Sequence, residues 1–550
     1  MRKNNARVVL ILCLIAVAAI VAGTVFLTGN SYSTEYLETN EIFDLNENEA
    51  AILTDGFVWE EKAPVINGKT FIPYDLLASL MGNPFYYEDA AGRLYLTLPS
   101  GTSVWTAGKD TDVLYRSQDG KAYIEAGLAD KYSDAEITCY KDPDRVCIIS
   151  KFTGLVLAET VEDTQLRALG NKRSPVVADL PAGTHMFWRS ESKKWSLVTT
   201  MDGYVGYTET AKLTVTQDAA LAHESNMLES FDKNLMDGTV RMVWHYVDVQ
   251  ENNDILDYML EDTGDINVIC PTWIYIENKD GDIYSLADKA YAENIRRRKM
   301  KLWTMVSDYT GSDADTGTIL GDHVSREKLV SGIMKVVKGY GLDGVNIDFE
   351  TIKFEQMPAY LQFLRELSLE THKAGVILSA DNYVPAYTLY YDRTQQAKIV
   401  DYVVIMGYDE HTEYSEKPGS VASLPFVREG IEQTLEEVPA EQVILGVPFY
   451  TRSWEEPFGA GYFKTDALSM PGARDYISEH GIKLEWNEAW GQYYGTSEDS
   501  AARYSIWMED GRSLEKKLDL IKEYGLAGAS AWRLGLEESD AWKTWNKELD

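Results

Sequence analysis

From Arg241 to the end of the chain, short apolar runs alternate with segments whose apolar residues recur at helical spacing. The helical spacing is clear in Leu329–Tyr340, Tyr360–Lys373 and Val427–Glu437, where charged residues occupy the other side. The apolar runs have the length of strands, and they begin near Met242, Ile266, Leu302, Gly344, Val376, Tyr402, Val443 and Ala527. This alternation is typical of parallel strands joined by helices, so residues 241–550 are predicted to form a (β/α)8, or TIM, barrel. A small insertion rich in Trp and Tyr, roughly Glu455 to Asp510, is predicted between strands seven and eight.

Two smaller patterns precede the predicted barrel. Residues 49–152 contain short alternating runs separated by turn signals and one helical stretch, which predicts a small α+β domain. Residues 153–218 contain only strand-like runs and turns, which predicts a small all-β domain. Residues 219–240 are expected to be a linker.

The first 30 residues have the pattern of a membrane anchor. Arg2, Lys3 and Arg7 precede an uncharged apolar run, Val8 to Leu27, which is long enough to cross a bilayer. No Lys or Arg follows until Lys62, so the positive-inside bias places the N-terminus in the cytoplasm and the rest outside. The prediction is a single-pass protein of the cell membrane, with residues 31–48 as a polar tether. A cleaved signal peptide, and hence a secreted protein, is the alternative.

Charge and rare residues narrow the classes of partner. The formal net charge of the 550 residues is -35, which argues against nucleic acid or an anionic lipid surface as a partner. The seven His are scattered and form no metal-ligand pattern, so neither a metal nor an organic cofactor is expected. Cys139 and Cys147 flank a turn signal and could form a disulfide across a hairpin, but buried free thiols fit equally well.

The fourth apolar run ends in a row of acids, within the sequence DGVNIDFE from Asp343 to Glu350. Because strand side chains alternate between faces, Asn346, Asp348 and Glu350 share one side, about 7 Å apart in succession. A carboxyl group that is partly buried beside a second one has a raised pKa, which suits a proton donor. Glu350 is the predicted donor. The structural alternative is a strand whose acidic end meets solvent or caps the next helix.

These residues resemble glycoside hydrolase family 18, the chitinase and endo-N-acetylglucosaminidase family. DGVNIDFE is similar to the family pattern DGxxDxDxE, with Asn346 in place of the first inner Asp. Strand six ends in Met406-Gly407-Tyr408-Asp409, which is similar to MxYD, and strand seven gives Gly446 to Tyr450, which matches GxPxY. Strand eight ends at Trp532, in the place of the family's sugar-stacking Trp. Asn346 and the surrounding pattern look most like the bacterial spore-cortex and cell-wall glucosaminidase branch.

The resemblance implies a retaining hydrolysis in which the substrate takes part. Glu350 would protonate the glycosidic oxygen, and the sugar's 2-acetamido group would attack its own anomeric carbon. Asp348 would stabilise the resulting oxazolinium ion, with Asn346, Met406, Tyr408, Asp409, Tyr450 and Trp532 as the expected substrate-binding residues. In the family pattern the first inner Asp shares a proton with the middle one, which an amide cannot do. The implied partner is an N-acetylglucosamine-containing polysaccharide, peptidoglycan or chitin-type oligomers.

Other interpretations stay open at this point. Trp532 alone is more typical of a core than of a sugar platform, Tyr408 could plug the barrel, and Asp409 could cap a helix. A lectin-like protein that binds wall glycan without cleaving it is the alternative function. The two N-terminal domains resemble the copper amine oxidase N-terminal domain and a bacterial SH3-like domain. The second implies either a spacer or contact with the cell wall, and adhesion by these domains is a third possibility.

Overall fold

The computed structural model describes residues 32–38, 41–79, 84–223, 230–308 and 315–549. The predicted membrane segment Val8–Leu27 lies outside these residues. Within them, no helix combines the length and the apolar character needed to cross a membrane. The described residues divide into two compact units, one formed by those up to Leu96 and from Thr102 to His223, and the other by Thr97–Gly101 and those from Ser230 onward.

The first unit contains two seven-stranded sheets. The first sheet has, in spatial order, the strands Leu114–Arg116, Ala122–Glu125, Lys69–Pro73, Phe57–Ile66, Glu49–Thr54, Arg145–Ile149 and Glu136–Tyr140. The second has the strands Val176–Leu180, Thr164–Arg167, Val205–Glu209, Trp195–Thr200, His185–Glu191, Leu155–Thr160 and Leu213–Ala219. Helices Tyr74–Ser79 and Ala126–Lys131 accompany the first sheet, and a three-stranded sheet is formed by Phe85–Glu88, Arg93–Leu98 and Gly101–Thr106.

Part of the predicted tether lies along the second sheet. The backbone of Leu37 donates to the carbonyl of Val176, and the backbone of Val176 donates to the carbonyl of Glu35, both at 2.8 Å. The Tyr36 hydroxyl donates to Asp179 at 2.7 Å. Residues 32–38 therefore extend the edge of the sheet, which a polar composition alone did not predict.

The hairpin that carries Cys139 and Cys147 is present, but the two thiols are free. Cys147 pairs with Thr138 and Cys139 with Val146, so the register places the two cysteines on opposite faces. Cys270, in β2 of the second unit described next, is fully buried.

The second unit is a closed barrel of eight parallel strands. We number them β1 Val240–His245, β2 Val268–Pro271, β3 Lys301–Ser307, β4 Gly344–Asp348, β5 Ile377–Tyr383, β6 Tyr402–Met406, β7 Val443–Pro448 and β8 Gly528–Trp532. Each strand pairs with the next, and β8 pairs with β1 to close the sheet. The predicted barrel and all eight of its strands are confirmed.

Helices surround the barrel and connect its strands. They span Leu256–Met259, Lys289–Arg297, Thr316–Gly321, His323–Tyr340, Met357–Ala374, Arg393–Ile399, Leu424–Leu435, Gly511–Tyr524 and Ser539–Leu549. The helix before β4 shows why the boundaries fall where they do. Asp322 caps its first turn by accepting from Ser325 N, and Gly341 ends it with a φ of 63°.

An insertion between β7 and β8 begins at Tyr450. It is a five-stranded antiparallel sheet with one helix, Met470–Glu479. Its strands, in spatial order, are Lys464–Ser469, Tyr450–Pro457, Ala502–Met508, Gln492–Glu498 and Lys483–Asn487. The insertion leaves the barrel at the C-terminal end of β7, the end at which barrel enzymes carry their active sites.

Candidate active site

The two ends of the DGVNIDFE segment have different structural roles. Asp343, at its start, accepts from Lys301 Nζ at 2.8 Å and from Leu302 N at 3.0 Å, which fixes the bottom of β4 against β3. Asp348 ends β4 at the opposite, C-terminal end, and Glu350 follows two residues later. The carboxyl groups of Asp348 and Glu350 therefore lie at the C-terminal end of the barrel, where its active site is expected.

Glu350 is held by residues from the two neighbouring strands. The Tyr383 hydroxyl, at the end of β5, donates to Glu350 Oε2. Asp308, directly after β3, accepts from Glu350 N at 3.0 Å. Although Glu350 keeps an exposed surface, desolvation by the surrounding protein raises the pKa of its carboxyl. The hydrogen bond from Tyr383 opposes that rise, while the charges of Asp308 and Asp409 add to it.

Asp348 is buried beside Glu350. Burial is the main reason why its pKa lies well above the usual range, and the negative charges of Glu350, Asp381 and Asp308 raise it further. Within the described part of the chain, Asp348 Oδ1 has no hydrogen-bond partner. The two carboxyl groups thus influence each other's ionisation, and one of them has an oxygen free for a ligand.

Asn346 lies deeper in the barrel and is fully buried. Its Oδ1 accepts from Trp244 Nε1 at 2.9 Å, and its Nδ2 donates to Ser379 Oγ at 3.0 Å and to Asp381 Oδ1 at 2.6 Å. These bonds use both amide hydrogens. The expected substrate contact at Asn346 is therefore not supported by its position, and the side chain instead fixes its neighbours.

The predicted binding residues of β6 and β7 come together. Tyr450 donates its hydroxyl hydrogen to Asp409 Oδ1, and its ring meets the ring of Tyr408 edge-on at 6.2 Å between centroids. Burial raises the pKa of Asp409, while the Tyr450 bond and the positive charge of Arg452 oppose the rise. Asp409 has a left-handed backbone with a φ of 60°, and Met406 is buried at the end of β6. The charges of Asp381 and Asp348 also act on the buried Tyr408 hydroxyl, so β6 and β4 share one polar region.

Trp532 ends β8 and is partly exposed. Its ring meets that of Trp244 at an angle of 61°, with 5.8 Å between centroids. Because Trp244 also donates to Asn346, Trp532 is linked through Trp244 to a residue that lies deeper in the barrel than Asp348. Its exposed surface is compatible with the stacking of a sugar ring.

The sequence pattern did not single out three residues of this site: Asp308, Asp381 and Tyr383. Asp308 directly follows β3, Tyr383 ends β5, and Asp381 lies two residues before that end; β3 and β5 are the strands that flank β4. A polar residue at the C-terminal end of a predicted barrel strand was the available signal. Only the closed barrel shows that all three face the acids of β4.

The comparisons with known proteins concern this half of the chain. The family model described as glycosyl hydrolases family 18 matches residues 242–537, slightly more than half of the chain. The uncharacterized glycosylase YvbX of Bacillus subtilis (strain 168) is 25% identical over 282 residues, covering 49% of this chain and 81% of that protein. The cortical fragment-lytic enzyme of the same organism is 28% identical over 262 residues, covering 46% and 61%.

A solved structure supports the fold. The spore cortex-lytic enzyme SleL of Bacillus cereus superposes with a TM-score of 0.51 at 20% identity, covering 60% of this chain and 79% of that one. The family match over most of the barrel agrees with the acids at the end of β4. The chain therefore belongs to the glycosyl hydrolases of family 18, and it is a glycosidase.

Proposed function

We propose that this glycosidase cleaves β-1,4 linkages at N-acetylglucosamine, in bacterial peptidoglycan or in chitin-type oligomers, with retention of configuration. The observation that carries the proposal is the pair of interacting carboxyl groups at the end of β4, a buried Asp348 and an accessible Glu350, both with raised pKa values. A raised pKa keeps Glu350 protonated nearer to neutral pH, as a proton donor requires. Relatives named cortical fragment-lytic enzyme and endochitinase 1 agree with this substrate class.

In the first step Glu350 gives its proton to the glycosidic oxygen while the bond from that oxygen to the anomeric carbon breaks. The carbonyl oxygen of the same sugar's 2-acetamido group forms the new bond to the anomeric carbon. The sugar whose acetamido group has attacked becomes a positively charged oxazolinium ion. Because the substrate supplies the nucleophile, no step needs a protein nucleophile or a cofactor.

Asp348 is placed to serve that intermediate. Its ionised carboxylate would accept the acetamido N–H and stabilise the positive charge, an interaction that is strong because the group is buried. The Tyr408 hydroxyl and Asp409, which Tyr450 holds by a hydrogen bond, would orient the acetamido group. Trp532 would form the apolar floor, with Met406 packed beneath the mouth.

In the second step Glu350 acts as a base. Its carboxylate takes a proton from water, the water oxygen bonds to the anomeric carbon, and the bond to the acetamido oxygen breaks. The proton returned to Glu350 restores the starting state, so the cycle consumes only water. Attack from the face that the leaving group vacated retains the configuration.

An outward-facing membrane location remains part of this proposal. It depends on the apolar run Val8 to Leu27 and on the charge asymmetry around it. Such an anchor would hold the barrel near wall glycan, and the all-β domain of residues 153–218 would contact the wall or act as a spacer.

The decisive comparison is Glu350→Gln against wild type, on N-acetylglucosamine oligomers and on purified peptidoglycan. We expect turnover to fall at least about 1,000-fold because the amide cannot donate the proton, while glycan binding is kept. Glu355→Gln is the matched control, since Glu355 is exposed in the short 3-10 helix Phe354–Gln356 that follows Glu350. Equal turnover of wild type and Glu350→Gln would refute the acid assignment. Binding without turnover by the wild type on both substrates would favour the lectin-like alternative.

Two further measurements test the role of the substrate's own acetamido group. Asp348→Asn should lower the rate at least about 100-fold, because an amide offers no negative charge to the oxazolinium ion. A substrate with a trifluoroacetamido group should react at least about 100-fold more slowly, because its carbonyl oxygen is a poorer nucleophile. An unchanged rate with the fluorinated substrate would argue for a protein nucleophile. Mass spectrometry of digested wall would identify the bond that is cut.

A further inference from the structure

A second carboxyl group lies beside the acids of β4, on the neighbouring strand. Asn346 pairs with Ser379 and Ile347 with Ala380, so the next positions in register, Asp348 and Asp381, follow on the same inward face. Asp381 is 2% exposed. Its negative charge acts on Asp348, which places the two groups in one buried region.

The orientation of Asn346 decides which oxygen of Asp381 can carry a proton. The indole N–H of Trp244 can only donate, so the atom of Asn346 that it meets at 2.9 Å must be the carbonyl oxygen. The amide nitrogen of Asn346 then faces Asp381 Oδ1, to which it donates at 2.6 Å. A proton on Asp381 must therefore lie on Oδ2.

The oxygens without partners are those that would share this proton. Among the residues that the structure describes, neither Asp381 Oδ2 nor Asp348 Oδ1 has a hydrogen-bond partner, although both residues are more than nine-tenths buried. Two ionised carboxylates at successive register positions of adjacent strands, both this well buried, would repel each other without compensation. A single proton held by the pair removes most of that repulsion, as in other carboxyl pairs.

We propose that Asp381 is a positioning residue of the reaction, which shares one proton with Asp348 and so replaces the acid that β4 lacks at Asn346. The catalytic part of this inference rests on the proposed function. While the oxazolinium ion exists, the proton lies on Asp381 Oδ2 and leaves Asp348 negatively charged beside the cation. After hydrolysis the proton is again distributed over both groups. The pair neither gains nor loses a proton in a cycle, because the proton of the leaving group comes from Glu350 and water restores it.

The division of roles between Asn346 and Asp381 follows from their chemistry. An amide cannot ionise, but its two hydrogens can hold Ser379 and Asp381 at the same time. The carboxyl group of Asp381 on β5 can then share the proton with Asp348, in place of an acid at position 346 of β4 itself. The substitution at residue 346 is thus matched by an acid on the next strand.

The first test measures the proton directly and needs no activity. Infrared spectra at neutral pH would be compared between Glu350→Gln and Glu350→Gln/Asp381→Asn, so that Glu350 contributes no acid band. We expect the carbonyl stretch of a protonated carboxylic acid in the first protein and its loss in the second. Its absence from the first protein would overturn the shared proton, whatever the enzyme's substrate turns out to be.

The second test uses the pH dependence of catalysis by the full-length protein. Asp381→Asn should lower kcat at least about tenfold, with KM changed less than about threefold. It should also move the acidic limb of the kcat profile down by about one pH unit, because the negative charge of Asp381 that raises the pKa of Asp348 is gone. Asp280→Asn, at an exposed turn of the same unit, is the control with unchanged kinetics.

A swap variant separates proton sharing from a structural role. Asn346→Asp/Asp381→Asn returns the acid to β4 and places the amide on β5, and it should recover kcat to within about tenfold of wild type and move the acidic limb back. A purely structural role predicts a lower Tm for Asp381→Asn and no movement of the limb, which would overturn the proposal. If Asp381→Asn does not fold, the swap variant and the infrared comparison still decide the question.

Discussion

Tyr383 donates a hydrogen bond from its phenol hydroxyl to Oε2 of Glu350, the predicted proton donor. The bond stabilises the ionised carboxylate and so opposes the rise in pKa that desolvation causes. Tyr383 comes from β5, whereas Glu350 follows β4, so the contact exists only because these strands are neighbours in the barrel. The working pH range of the donor is therefore set partly by a residue outside its own motif.

Replacing Tyr383 with Phe should move the basic limb of the kcat/KM profile to higher pH. Without the hydrogen bond the pKa of Glu350 rises, so the donor stays protonated to a higher pH. A hydrogen bond to a charged group is worth about 1.5 kcal/mol, which corresponds to a shift of about one pH unit. Tyr258→Phe, at a position that is 79% exposed, serves as the control. A limb that stays in place or moves down would show that Tyr383 does not set this pKa.

Asp308→Asn should shift the same limb in the opposite direction. The carboxylate of Asp308 accepts from Glu350 N and Thr351 N, both at 3.0 Å, and from Thr351 Oγ1 at 2.6 Å. Its charge raises the pKa of Glu350, so removal of the charge should lower that pKa and move the limb down. The new amide also faces N–H donors, so kcat should fall about tenfold as the loop shifts. The check is to measure the kcat/KM profiles of both variants: the basic limb should move to higher pH in Tyr383→Phe and to lower pH in Asp308→Asn.

Gly446→Ala should destabilise the barrel and lower activity. A Cβ at this position in β7 would lie 2.9 Å from the carbonyl oxygen of Ile405 and 3.3 Å from Tyr408 Cε1. The backbone contact cannot yield easily, so overpacking should cost about 1 to 3 kcal/mol and displace Tyr408. We expect a lower Tm together with a reduced kcat.

Gly339→Ala is the matched control for that substitution. Gly339 lies in the helix His323–Tyr340, and apart from its chain neighbours and the backbone of its own helix, an added Cβ would meet no atom within 4 Å in the described part of the chain. Alanine is favoured over glycine inside a helix by about 1 kcal/mol, so this variant should be as stable as wild type or more stable. A Gly446→Ala protein with the Tm and kcat of Gly339→Ala would contradict the close-contact argument.

The barrel could be predicted from the sequence because its signal is local. Each strand is a short apolar run, each helix has its own spacing, and the acids at Asp348 and Glu350 stand in one strand pattern. Asp308 and Tyr383 carry no such signal. They lie 42 and 33 residues from Glu350 in sequence, and only the closure of the sheet brings them to it.

Two other features could not be predicted from the sequence, for a different reason. Residues 32–38 attach to the second sheet through backbone hydrogen bonds at Glu35 and Leu37, and backbone pairing leaves no trace in composition. Asn346 stands in a family motif, which suggested a ligand contact. Its actual partners come from two other strands, Trp244 from β1 and both Ser379 and Asp381 from β5, so its role depends on tertiary packing.

His245 makes the stability of the barrel depend on pH. The side chain is fully buried at the end of β1, its Nδ1 lies 3.1 Å from the Tyr291 hydroxyl, and its Nε2 has no partner within the described ranges. Burial, aided by the positive charge of Arg533, lowers the pKa of His245 to about 4. The folded protein thus keeps a neutral imidazole at pH values where an unfolded chain binds a proton.

This stabilising contribution is fully present above about pH 6.5, the usual His pKa, and is lost as the pH falls towards about 4. The corresponding loss in unfolding free energy is about 3 kcal/mol. Asp348 and Asp381, whose pKa values are raised, act in the opposite sense, so wild type alone does not isolate the effect. The measurement is therefore the difference in Tm between wild type and His245→Gln, followed from pH 7 to pH 4.5. Because Gln does not titrate, the advantage of wild type should shrink steadily over this range, and a constant difference would show that His245 binds its proton equally in both states.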